Sequence, residues 1–200
     1  MASMKAIIEA ESRAISAIPV SEAYAKAISI IIGRVHDAGG KLVTSGMGKA
    51  GQIAMNIATT FSSTGTPAVY LHPSEAQHGD LGLLRPDDVL LLISNSGKTT
   101  EILQLCELAH GLYENLPIIV ITGNPDSPLA QLADAALFTG GAPEVCPLGL
   151  TPTTSTTMMT VIGDVLVVNT MRLIGFTRQQ YALRHHGGYL GSAARKNNDQ

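Results

Sequence analysis

The sequence predicts an α/β protein in which helices cover both faces of a parallel sheet. Between residues 41 and 138, five short apolar runs alternate with stretches long enough to form helices. Several runs are apolar at every position, which is typical of strands buried on both faces, whereas half-exposed strands alternate. Strands separated by helices form crossover units and build a doubly wound sheet. We therefore expect a three-layer α/β/α sandwich around a five-stranded parallel sheet.

The first 38 residues are predicted to form extra helices that precede the sheet. Apolar residues recur at helical spacing from Ile7 to Ile18, until Pro19 interrupts the pattern. Ser21 is a suitable N-cap for a second helix over residues 23–35, which ends before a glycine pair. This N-terminal helical region, 1–38, is expected to belong to the same domain as the sheet.

Five segments have the composition of strands, and the loops that follow them are where a site is expected. Ligands of doubly wound sheets bind beyond the carboxyl ends of the strands. The α/β core is predicted over 39–191, within a single domain of residues 1–195. The predicted strands are Lys41–Ser45, Pro67–Leu71, Val89–Ile93, Pro117–Thr122 and Ala135–Phe138.

The last third of the chain begins with a glycine- and proline-rich loop, followed by a run of hydroxyl residues. Thr151 fits an N-cap and Pro152 fits the first helical position. These residues predict a long helix that begins there and ends at Gly175.

A capping box is predicted at the start of another helix, where Thr177 is followed by Gln180. Phe176 and Tyr181 flank this box and match the hydrophobic staple that often accompanies it. The polar residues 192–200 are expected to form a disordered tail.

Composition narrows the class of function. Charged residues make up only 14% of the chain, against about 25% in typical soluble domains, which we interpret as a sign of oligomerisation. A net charge of −3 without a basic run or a tryptophan disfavours nucleic-acid binding. Two cysteines are too few for a disulfide scaffold or a four-thiolate zinc site. No signal peptide or membrane span is evident, so we expect a cytoplasmic protein without a membrane partner.

The first predicted strand is followed by the pattern G-x-G-x-x-G at residues 46–51. At a strand-to-helix turn this pattern is typical of dinucleotide sites, because the turn brings backbone amides to a pyrophosphate. Such a site also has an acidic residue about 20 positions further on, at the tip of the second strand. Here the tip is Tyr70, Leu71 and His72, and the nearest acid is Glu75. The pattern therefore stays weak evidence for a nicotinamide cofactor, and we expect no cofactor.

The third predicted strand ends in a run rich in small hydroxyl residues, 94–100, and leads into a helix. A helix N-terminus offers unpaired amides and a partial positive charge, which suit a phosphate. The spacing is not that of a P-loop, and an ordinary capped turn is the alternative. No Lys or Arg lies between Lys98 and Arg172, which leaves Lys49 and Lys98 as nearby cations. The hydroxyl-rich segment 151–160 either extends this cradle or is the polar start of a packing helix.

Five motifs, taken together and in order, carry a family resemblance. They resemble the sugar isomerase (SIS) domain of arabinose-5-phosphate isomerases over residues 30–195, which implies a flavodoxin-like fold. The motifs are Ser-Gly-Met-Gly-Lys-Ala-Gly (45–51), Thr-Gly-Thr-Pro (64–67), His-Pro-Ser-Glu-Ala-Gln-His-Gly-Asp (72–80), Ser-Asn-Ser-Gly (94–97) and Cys-Pro-Leu-Gly-Leu-Thr-Pro-Thr-Thr-Ser-Thr-Thr (146–157).

The resemblance implies an aldose–ketose isomerase that interconverts D-ribulose 5-phosphate and D-arabinose 5-phosphate through an enediol, the first step toward the lipopolysaccharide sugar Kdo. No cofactor is implied, and the chain resembles the short form that lacks CBS domains. A homotetramer is implied, and CMP-Kdo is expected to bind in the substrate cleft as a feedback ligand. The alternatives are a hexulose-6-phosphate type of SIS isomerase and a non-catalytic regulator that binds a sugar phosphate.

Four catalytic residues are implied, each by its place in a motif of the family: Lys49 in the Gly-Met-Gly-Lys loop, Glu101 after Ser-Asn-Ser-Gly, Glu144 before Cys-Pro-Leu-Gly, and His185 before Gly-Gly-x-Leu-Gly. The chain departs from the family at Lys98, where a glutamate is common. It also has Arg184-His185-His186 where the family has Ser-His-Pro, and alignment on the following glycines favours His185.

The substrate-binding residues implied by the same motifs are small or hydroxyl residues and two histidines: Gly46, Gly48, Gly65, Thr66, His72, His78, Ser94, Asn95, Ser96, Thr99, Thr154 and Ser155. No metal is required, and a zinc ion at His72 would be inhibitory. Simpler structural roles remain open: Glu101 can offset a helix dipole, Glu144 can be a solvated loop acid, and His185 can cap a helix. Cys106 is expected in the core.

Overall fold

The centre of the molecule is a five-stranded sheet, seen in a computed structural model that describes residues 3–196. Its strands are β1 (Leu42–Gly46), β2 (Ala68–Tyr70), β3 (Val89–Ile93), β4 (Ile118–Thr122) and β5 (Ala135–Phe138). Their order across the sheet is β2-β1-β3-β4-β5, and every pairing is parallel. The predicted parallel sheet is confirmed, and all five strands lie where their apolar runs predict them.

Helices surround this sheet along the described part of the chain. They are α1 (Met4–Ser16), α2 (Glu22–Ile31), α3 (Gly48–Ser63), α4 (Pro73–Ala76), α5 (Thr100–Leu112), α6 (Pro128–Leu132), α7 (Thr154–Leu173), α8 (Arg178–Arg184) and α9 (Gly188–Lys196). A π-helical turn, Ile32–Asp37, continues α2, and a 3-10 turn, Asp80–Leu83, precedes β3. The two helices predicted before the sheet are confirmed, with the second one widened over its last turns.

The two faces of the sheet are covered by different helices. Leu91 and Ile93 of β3 pack in a core with α2, α3 and α7, while Leu90 and Leu92 pack in a second core with α4, α5 and α6. All four side chains are fully buried, because successive residues of a strand point to opposite faces. Helix α1 lies against α7, outside the first layer. The predicted three-layer sandwich is confirmed.

A buried ion pair closes the sheet at the amino ends of β1 and β3, which we call the amino edge. The Asp88 side chain is 1% exposed and lies 2.6 Å from the Lys41 Nζ. It also accepts hydrogen bonds from the backbone amides of Lys41 at 2.9 Å and Arg85 at 2.8 Å. A Cβ on Gly40 would lie 2.0 Å from the Asp87 carbonyl oxygen. The amino edge therefore has no room for a ligand at this point.

After α7 the chain continues into α8 and α9. The capping box is confirmed: the Thr177 hydroxyl accepts from the Gln180 amide at 3.2 Å, and the Gln180 side chain accepts from the Thr177 amide at 2.8 Å. The rings of Phe176 and Tyr181 meet edge to face at 6.5 Å, which confirms the staple.

The disordered tail is predicted from residue 192, whereas residues 192–196 belong to α9. The Arg178 guanidinium donates to the Ala193 carbonyl at 2.7 Å, and Ala194 is 5% exposed, so tertiary contacts hold this short helix. Residues 197–200 of the predicted tail lie outside the described residues.

Within residues 3–196, no single helix is long and apolar enough to cross a membrane. Helices α7 and α8 meet the length and composition requirement only as a pair that is bent by 118°. The buried face of α7 packs against α3 in the core.

Candidate functional site

A cavity of about 410 Å³ opens where β1 and β3 end, at what we call the carboxyl edge of the sheet. Small-molecule sites have volumes of roughly 300–1,000 Å³, and adjacent strands whose connections run in opposite directions form the usual crevice. The lining residues come from four segments of the chain. They are Met47, Lys49, Ala50, Ile93, Ser94, Asn95, Ser96, Thr99, Glu144, Gly149, Leu150, Pro152, Ser155, Thr156 and Met159.

The turn between β1 and α3 needs glycine at two positions. A Cβ on Gly46 would lie 2.8 Å from the backbone of Ala50, and Gly48 has a φ of +56°, which side chains disfavour. The tight turn places the start of α3 directly beyond β1. Gly46 and Gly48 thus shape the wall of the cavity, and Lys49 is the charged side chain that this turn contributes to its lining.

The tip of β2 carries Tyr70 in the region where a dinucleotide site has its acid. The Tyr70 hydroxyl donates to the Gly46 carbonyl at 2.9 Å, and burial raises its pKa. The Ser45 hydroxyl donates to the neighbouring Leu71 carbonyl at 2.6 Å. The residue at this position is therefore a neutral donor, not the carboxylate that binds a dinucleotide ribose.

The loop between β3 and α5 is a compact turn of hydroxyl residues. The hydroxyls of Ser94 and Thr99 are 2.8 Å apart, and the Ser94 hydroxyl also accepts from the Gly97 amide at 3.1 Å. Gly97 has a φ of +63°, and a Cβ there would lie 2.0 Å from the Ser127 hydroxyl. The turn brings Ser94, Ser96 and Thr99 to the cavity at the N-terminus of α5.

The backbone of this turn is held by the loop that follows β4. The Asn95 carbonyl accepts from the Gly123 amide at 3.0 Å, and the Ser96 carbonyl accepts from the Asn124 side chain at 3.2 Å. Asn95 and Ser96 are nevertheless exposed. A fixed backbone with accessible polar side chains suits the binding of an anion.

Glu144 reaches the cavity from the loop that follows β5, and its carboxylate sits on the start of α7. Oε2 accepts from the Thr153 amide at 2.7 Å, the Thr153 hydroxyl at 2.9 Å and the Ser155 amide at 3.3 Å. Oε1 accepts from the Ser155 hydroxyl. Burial acts to raise the pKa of Glu144, but these hydrogen bonds outweigh burial and lower it. The carboxylate is therefore ionised at neutral pH.

Helix α7 begins two residues later than predicted: Thr153, not Thr151, is its N-cap. The residues just before it are held by the thiol of Cys146, which accepts from the amides of Leu150 at 3.3 Å and Thr151 at 3.1 Å. Burial acts to raise the pKa of Cys146, but the hydrogen bonds from Thr151 and Leu150 dominate and lower it to about 7. Residues 150 and 151 are thus held in a turn around the sulfur.

Two predicted site residues adjoin the cavity without lining it. Glu101 lies half-buried in the first turn of α5, where a carboxylate offsets the helix dipole. Thr154 is 1% exposed, and its hydroxyl accepts from the Val145 amide at 3.2 Å. In this arrangement Thr154 holds the loop of Glu144 against α7.

Gly65 and Thr66 precede β2 and therefore lie at the amino ends of the strands, away from the cavity. Thr66 is 1% exposed, with its hydroxyl 3.0 Å from the His36 Nε2. A Cβ on Gly65 would lie 2.7 Å from the ring of Phe176. The structure does not bring these two residues to the cavity of the same chain.

The two loop histidines lie after β2 and outside the cavity lining. His72 is half-buried, its Nδ1 is enclosed without a hydrogen-bond partner among the described residues, and its ring meets that of Tyr70 edge on at 6.3 Å. His78 is exposed. Residues 3–196 contain no cluster of three His, Cys, Asp or Glu side chains suited to a metal ion. Inhibitory zinc at His72 stays a prediction.

His185 lies at the end of α8 and is not among the residues that line the cavity. Its Nδ1 is 2.9 Å from the Tyr181 carbonyl, and its ring stacks on the Tyr181 ring with centroids 3.7 Å apart. This contact is the helix cap that the sequence left open as an alternative. The neighbouring His186 lines a separate groove against α3 and β2.

Sequence reasoning missed the contribution of Thr153 and of the turn at Gly149 and Leu150. Thr153 binds Glu144, nine residues earlier in the chain, and Leu150 lines the cavity while donating its amide to the Cys146 thiol. No local pattern predicts these contacts, because they form only when the loop folds back on itself. Cys106, by contrast, is buried in the core as predicted.

The family model of the SIS domain matches residues 35–169. The chain belongs to the SIS domain family. It is 51% identical over 152 residues to the arabinose 5-phosphate isomerase KdsD of Shigella flexneri. That alignment covers 76% of this chain and 46% of that protein. It is 46% identical over 172 residues to KdsD of Yersinia pestis, covering 86% of this chain and 51% of that protein. The chain spans about half the length of the curated relatives it matches.

Solved structures show the same SIS fold. A Bacteroides fragilis protein, described as a candidate phosphosugar isomerase involved in capsule formation, has a TM-score of 0.92 and 64% identity. That match covers 94% of this chain and 97% of the other. A protein of E. coli CFT073 in complex with arabinose 5-phosphate has a TM-score of 0.83 and 37% identity, covering 91% of this chain and 95% of the other. These similarities confirm the predicted family and fold.

Proposed function

We propose that this SIS domain is an arabinose-5-phosphate isomerase, which interconverts D-ribulose 5-phosphate and D-arabinose 5-phosphate for Kdo synthesis. The observation that carries the proposal is one cavity that gathers Lys49, Glu144 and the hydroxyl turn of residues 94–99. The KdsD relatives and the structural neighbour that binds arabinose 5-phosphate support this choice of substrate.

The substrate's phosphate belongs at the N-terminus of α5, not at that of α7. Ser94, Ser96 and Thr99 line the cavity there, and Lys98 is exposed in the same turn. At α7 the Glu144 carboxylate already accepts the amides of Thr153 and Ser155. A second anion at that place would be repelled by the first, so Thr153 and Ser155 bind Glu144 instead of the phosphate.

The reaction needs a proton acceptor and a group that stabilises negative charge. The acceptor removes a proton from C1 of the ketose, the electrons of that C–H bond form the C1=C2 double bond, and the C2 oxygen takes the negative charge. The C2 oxygen then gains a proton to give the enediol. The C1 hydroxyl loses a proton and becomes the carbonyl as a proton adds to C2, which gives the aldose. Glu144 is ionised and can accept a proton. The Lys49 ammonium can stabilise the developing oxyanion. Residues of this chain thus supply both functions.

The role proposed for His185 needs a second copy of the chain. His185 lies outside the cavity of its own chain, so we propose that it acts in the site of a neighbouring subunit of a homotetramer. Mixed oligomers of His185→Ala and Glu101→Gln chains are expected to regain activity. If verified mixed oligomers stay inactive, each site is confined to a single chain.

Exposed apolar residues support the proposed tetramer. Ile8 of α1 is 69% exposed, and Leu183 and Tyr189 of the C-terminal helices are 65% and 84% exposed. Surfaces of this kind mark subunit contacts when they are contiguous. Light scattering at micromolar concentration is expected to give the mass of four chains, and a monomer mass would contradict the proposal.

Regulation and location complete the proposal. CMP-Kdo is an anionic late product, and one set of phosphate donors cannot hold two anions, so we propose competitive binding in the substrate cleft. Calorimetric titration with CMP-Kdo is expected to show weaker binding when arabinose 5-phosphate is saturating. Undiminished binding would contradict a shared cleft.

We also propose a cytoplasmic location, because a phosphorylated sugar does not cross membranes freely.

The activity is tested by incubating the protein with ribulose 5-phosphate in D₂O and identifying the aldose by NMR. Arabinose 5-phosphate with deuterium at C2 is expected, because the enediol takes a proton from a group that exchanges with solvent. A parallel incubation with a hexulose 6-phosphate tests the alternative isomerase. Turnover of the hexulose phosphate alone, or of neither substrate, would overturn the proposed function.

A further inference from the structure

Thr153 occupies the N-cap of α7, but its hydroxyl does not perform the usual task of that position. An N-cap hydroxyl normally accepts a hydrogen bond from an amide in the first turn of its own helix. The Thr153 side chain makes no such bond. Instead its hydroxyl donates to Glu144 Oε2 at 2.9 Å, and its amide donates to the same oxygen at 2.7 Å.

The Glu144 carboxylate accepts the first-turn amide that an N-cap hydroxyl would normally accept. Oε2 also accepts from the Ser155 amide at 3.3 Å, in the first turn of α7. The helix is therefore capped by a side chain from nine residues earlier, and Thr153 is the residue that holds this side chain from two directions. A hydrogen bond to an ionised partner contributes more than one between neutral groups.

The charges around Glu144 do not replace these bonds. Lys49 of α3 lines the same cavity, and Arg13 of α1 lines an adjoining hollow together with Glu144. Glu11 of α1 approaches the Thr157 hydroxyl at 3.5 Å, one turn further along α7. Among the described residues, none of the ion pairs within 4.0 Å includes Glu144. Hydrogen bonds, half of them from Thr153, therefore hold its negative charge.

We infer that Thr153 is a positioning residue, which holds the Glu144 carboxylate in its ionised form at the cavity wall. The inference rests on the proposed function, in which Glu144 accepts a proton from the sugar. Thr153 lies outside the cavity lining, so it acts through Glu144 and does not touch the substrate.

The first test compares Thr153→Val and Thr153→Ser with the native chain. Valine keeps the shape but removes the hydroxyl, and serine restores it. The acid limb of the kcat/KM profile is expected to move to higher pH in the valine variant, with roughly tenfold lower kcat/KM along the acid limb and a much smaller loss at pH 8. The serine variant is expected to follow the native profile.

Thr160→Val is the matched control. Thr160 lies on the same helix, is half-buried, and its hydroxyl donates to the Thr156 carbonyl at 3.0 Å, its one hydrogen bond within residues 3–196. Its substitution removes the same atom without touching Glu144, so its pH profile is expected to stay native. An equal shift in both valine variants, or a uniform loss at all pH values, would overturn the positioning role.

A second readout does not depend on activity. Carbon-13 NMR of labelled glutamate carboxyls, with the Glu144 signal assigned by its loss in Glu144→Gln, follows the titration of this group directly. Thr153→Val is expected to raise the pKa of Glu144, because it removes a donor to the charged form. An unchanged titration would overturn the inference even if the isomerase assay succeeds. A shifted titration without isomerase activity would support Thr153 as a holder of Glu144 and count against the proposed function only.

Discussion

At the amino edge of the sheet, the Asp88 carboxylate is 1% exposed and paired with Lys41. At the carboxyl edge, the Glu144 carboxylate takes its hydrogen bonds from Thr153 and Ser155 and borders an open cavity. Both carboxylates accept backbone amides and both join distant segments of the chain. They differ in their access to a ligand. Asp88 is paired with a lysine, whereas Glu144 borders a space that can hold a ligand.

In this doubly wound sheet, the contacts that stabilise the fold and the groups suited to chemistry lie at opposite edges. The ion pair at the amino edge ties β1 to β3 and leaves no volume for a substrate. At the carboxyl edge, tight glycine turns and hydrogen-bonded loops keep polar groups fixed around a cavity of about 410 Å³. Substitutions at the two edges should therefore produce different phenotypes, in stability at one edge and in activity at the other.

The largest effect is expected from Asp88→Ala. It leaves two backbone amides without their acceptor, and it leaves the Lys41 ammonium without its counter-charge and with the Leu83 carbonyl as its remaining acceptor. Breaking a buried pair by removing one partner costs about 3–5 kcal/mol. Chemical denaturation should show a loss of this size, with kcat/KM of the remaining folded protein unchanged. Asp87→Ala is the control, because the exposed Asp87 lies 3.9 Å from Arg34 and such pairs contribute roughly 0–1 kcal/mol. Equal losses in both variants would contradict the account of the amino edge.

Gly97→Ala should have the next largest effect, and on activity. Its Cβ would lie 2.0 Å from the Ser127 hydroxyl at a φ of +63°, so the turn that presents Ser96 must move. A displacement of about 1 Å in a binding group can lower the rate roughly a hundredfold. Gly175→Ala is the matched control: it has a similar φ of +62° and open space around the Cβ, and it lies outside the cavity lining. Steady-state kinetics in which both variants lose activity equally would show that the close contact is unimportant.

Glu144→Gln should lower stability by an amount that depends on pH. The pKa of Glu144 is lowered in the folded protein, so its charged form stabilises the fold above the ordinary carboxyl pKa of about 4.3. That contribution is lost as the pH falls through the folded-state pKa. Thermal melts should therefore show a destabilisation of about 1 kcal/mol at pH 7 that disappears in acid. A pH-independent difference would mean that the charge on Glu144 does not stabilise α7.

The smallest structural effect is expected from alkylation of the two cysteines. Backbone donors lower the pKa of Cys146 to about 7, whereas burial raises that of Cys106 to about 12. Brief iodoacetamide treatment at pH 7.5 should modify Cys146 and spare Cys106, as read by peptide mass spectrometry. The melting temperature should drop only slightly, because the turn that Cys146 holds lies outside both cores. Preferential labelling of Cys106 would contradict the structure of the core around α5.

How far the sequence predicts the molecule differs between these same regions. The strands and their parallel arrangement follow from apolar runs such as Val89–Ile93, because burial on both faces leaves a continuous pattern. The sequence also places Lys49 and the turn of residues 94–99 at one edge, where both line the cavity, since loops after parallel strands meet there; their roles toward a substrate stay a prediction.

The loop between β5 and α7 is what the sequence does not predict. Its shape depends on a thiol that accepts amides and on a carboxylate that caps a helix from nine residues away. Thr151 is a good N-cap by composition, yet the Glu144 carboxylate caps the helix at Thr153 and Ser155. His185 illustrates a second limit of prediction from sequence. A motif can mark the residue, but it does not tell which chain of an oligomer the side chain contacts, and within one chain His185 contacts Tyr181.

Two lysines, one before β1 and one after it, can show whether stability and activity depend on opposite edges of the sheet. Lys41 pairs with Asp88 at the amino edge, and Lys49 lines the cavity at the carboxyl edge. The measurement is kcat/KM for ribulose 5-phosphate together with the free energy of unfolding, for Lys41→Met and Lys49→Met side by side. We expect Lys41→Met to lose several kcal/mol of stability, about 3–5, with native kcat/KM per folded molecule. We expect Lys49→Met to keep native stability and lose roughly 100- to 1,000-fold in kcat/KM. The same loss of stability in both variants, or native activity in Lys49→Met, would contradict the separation of stability and chemistry between the two edges.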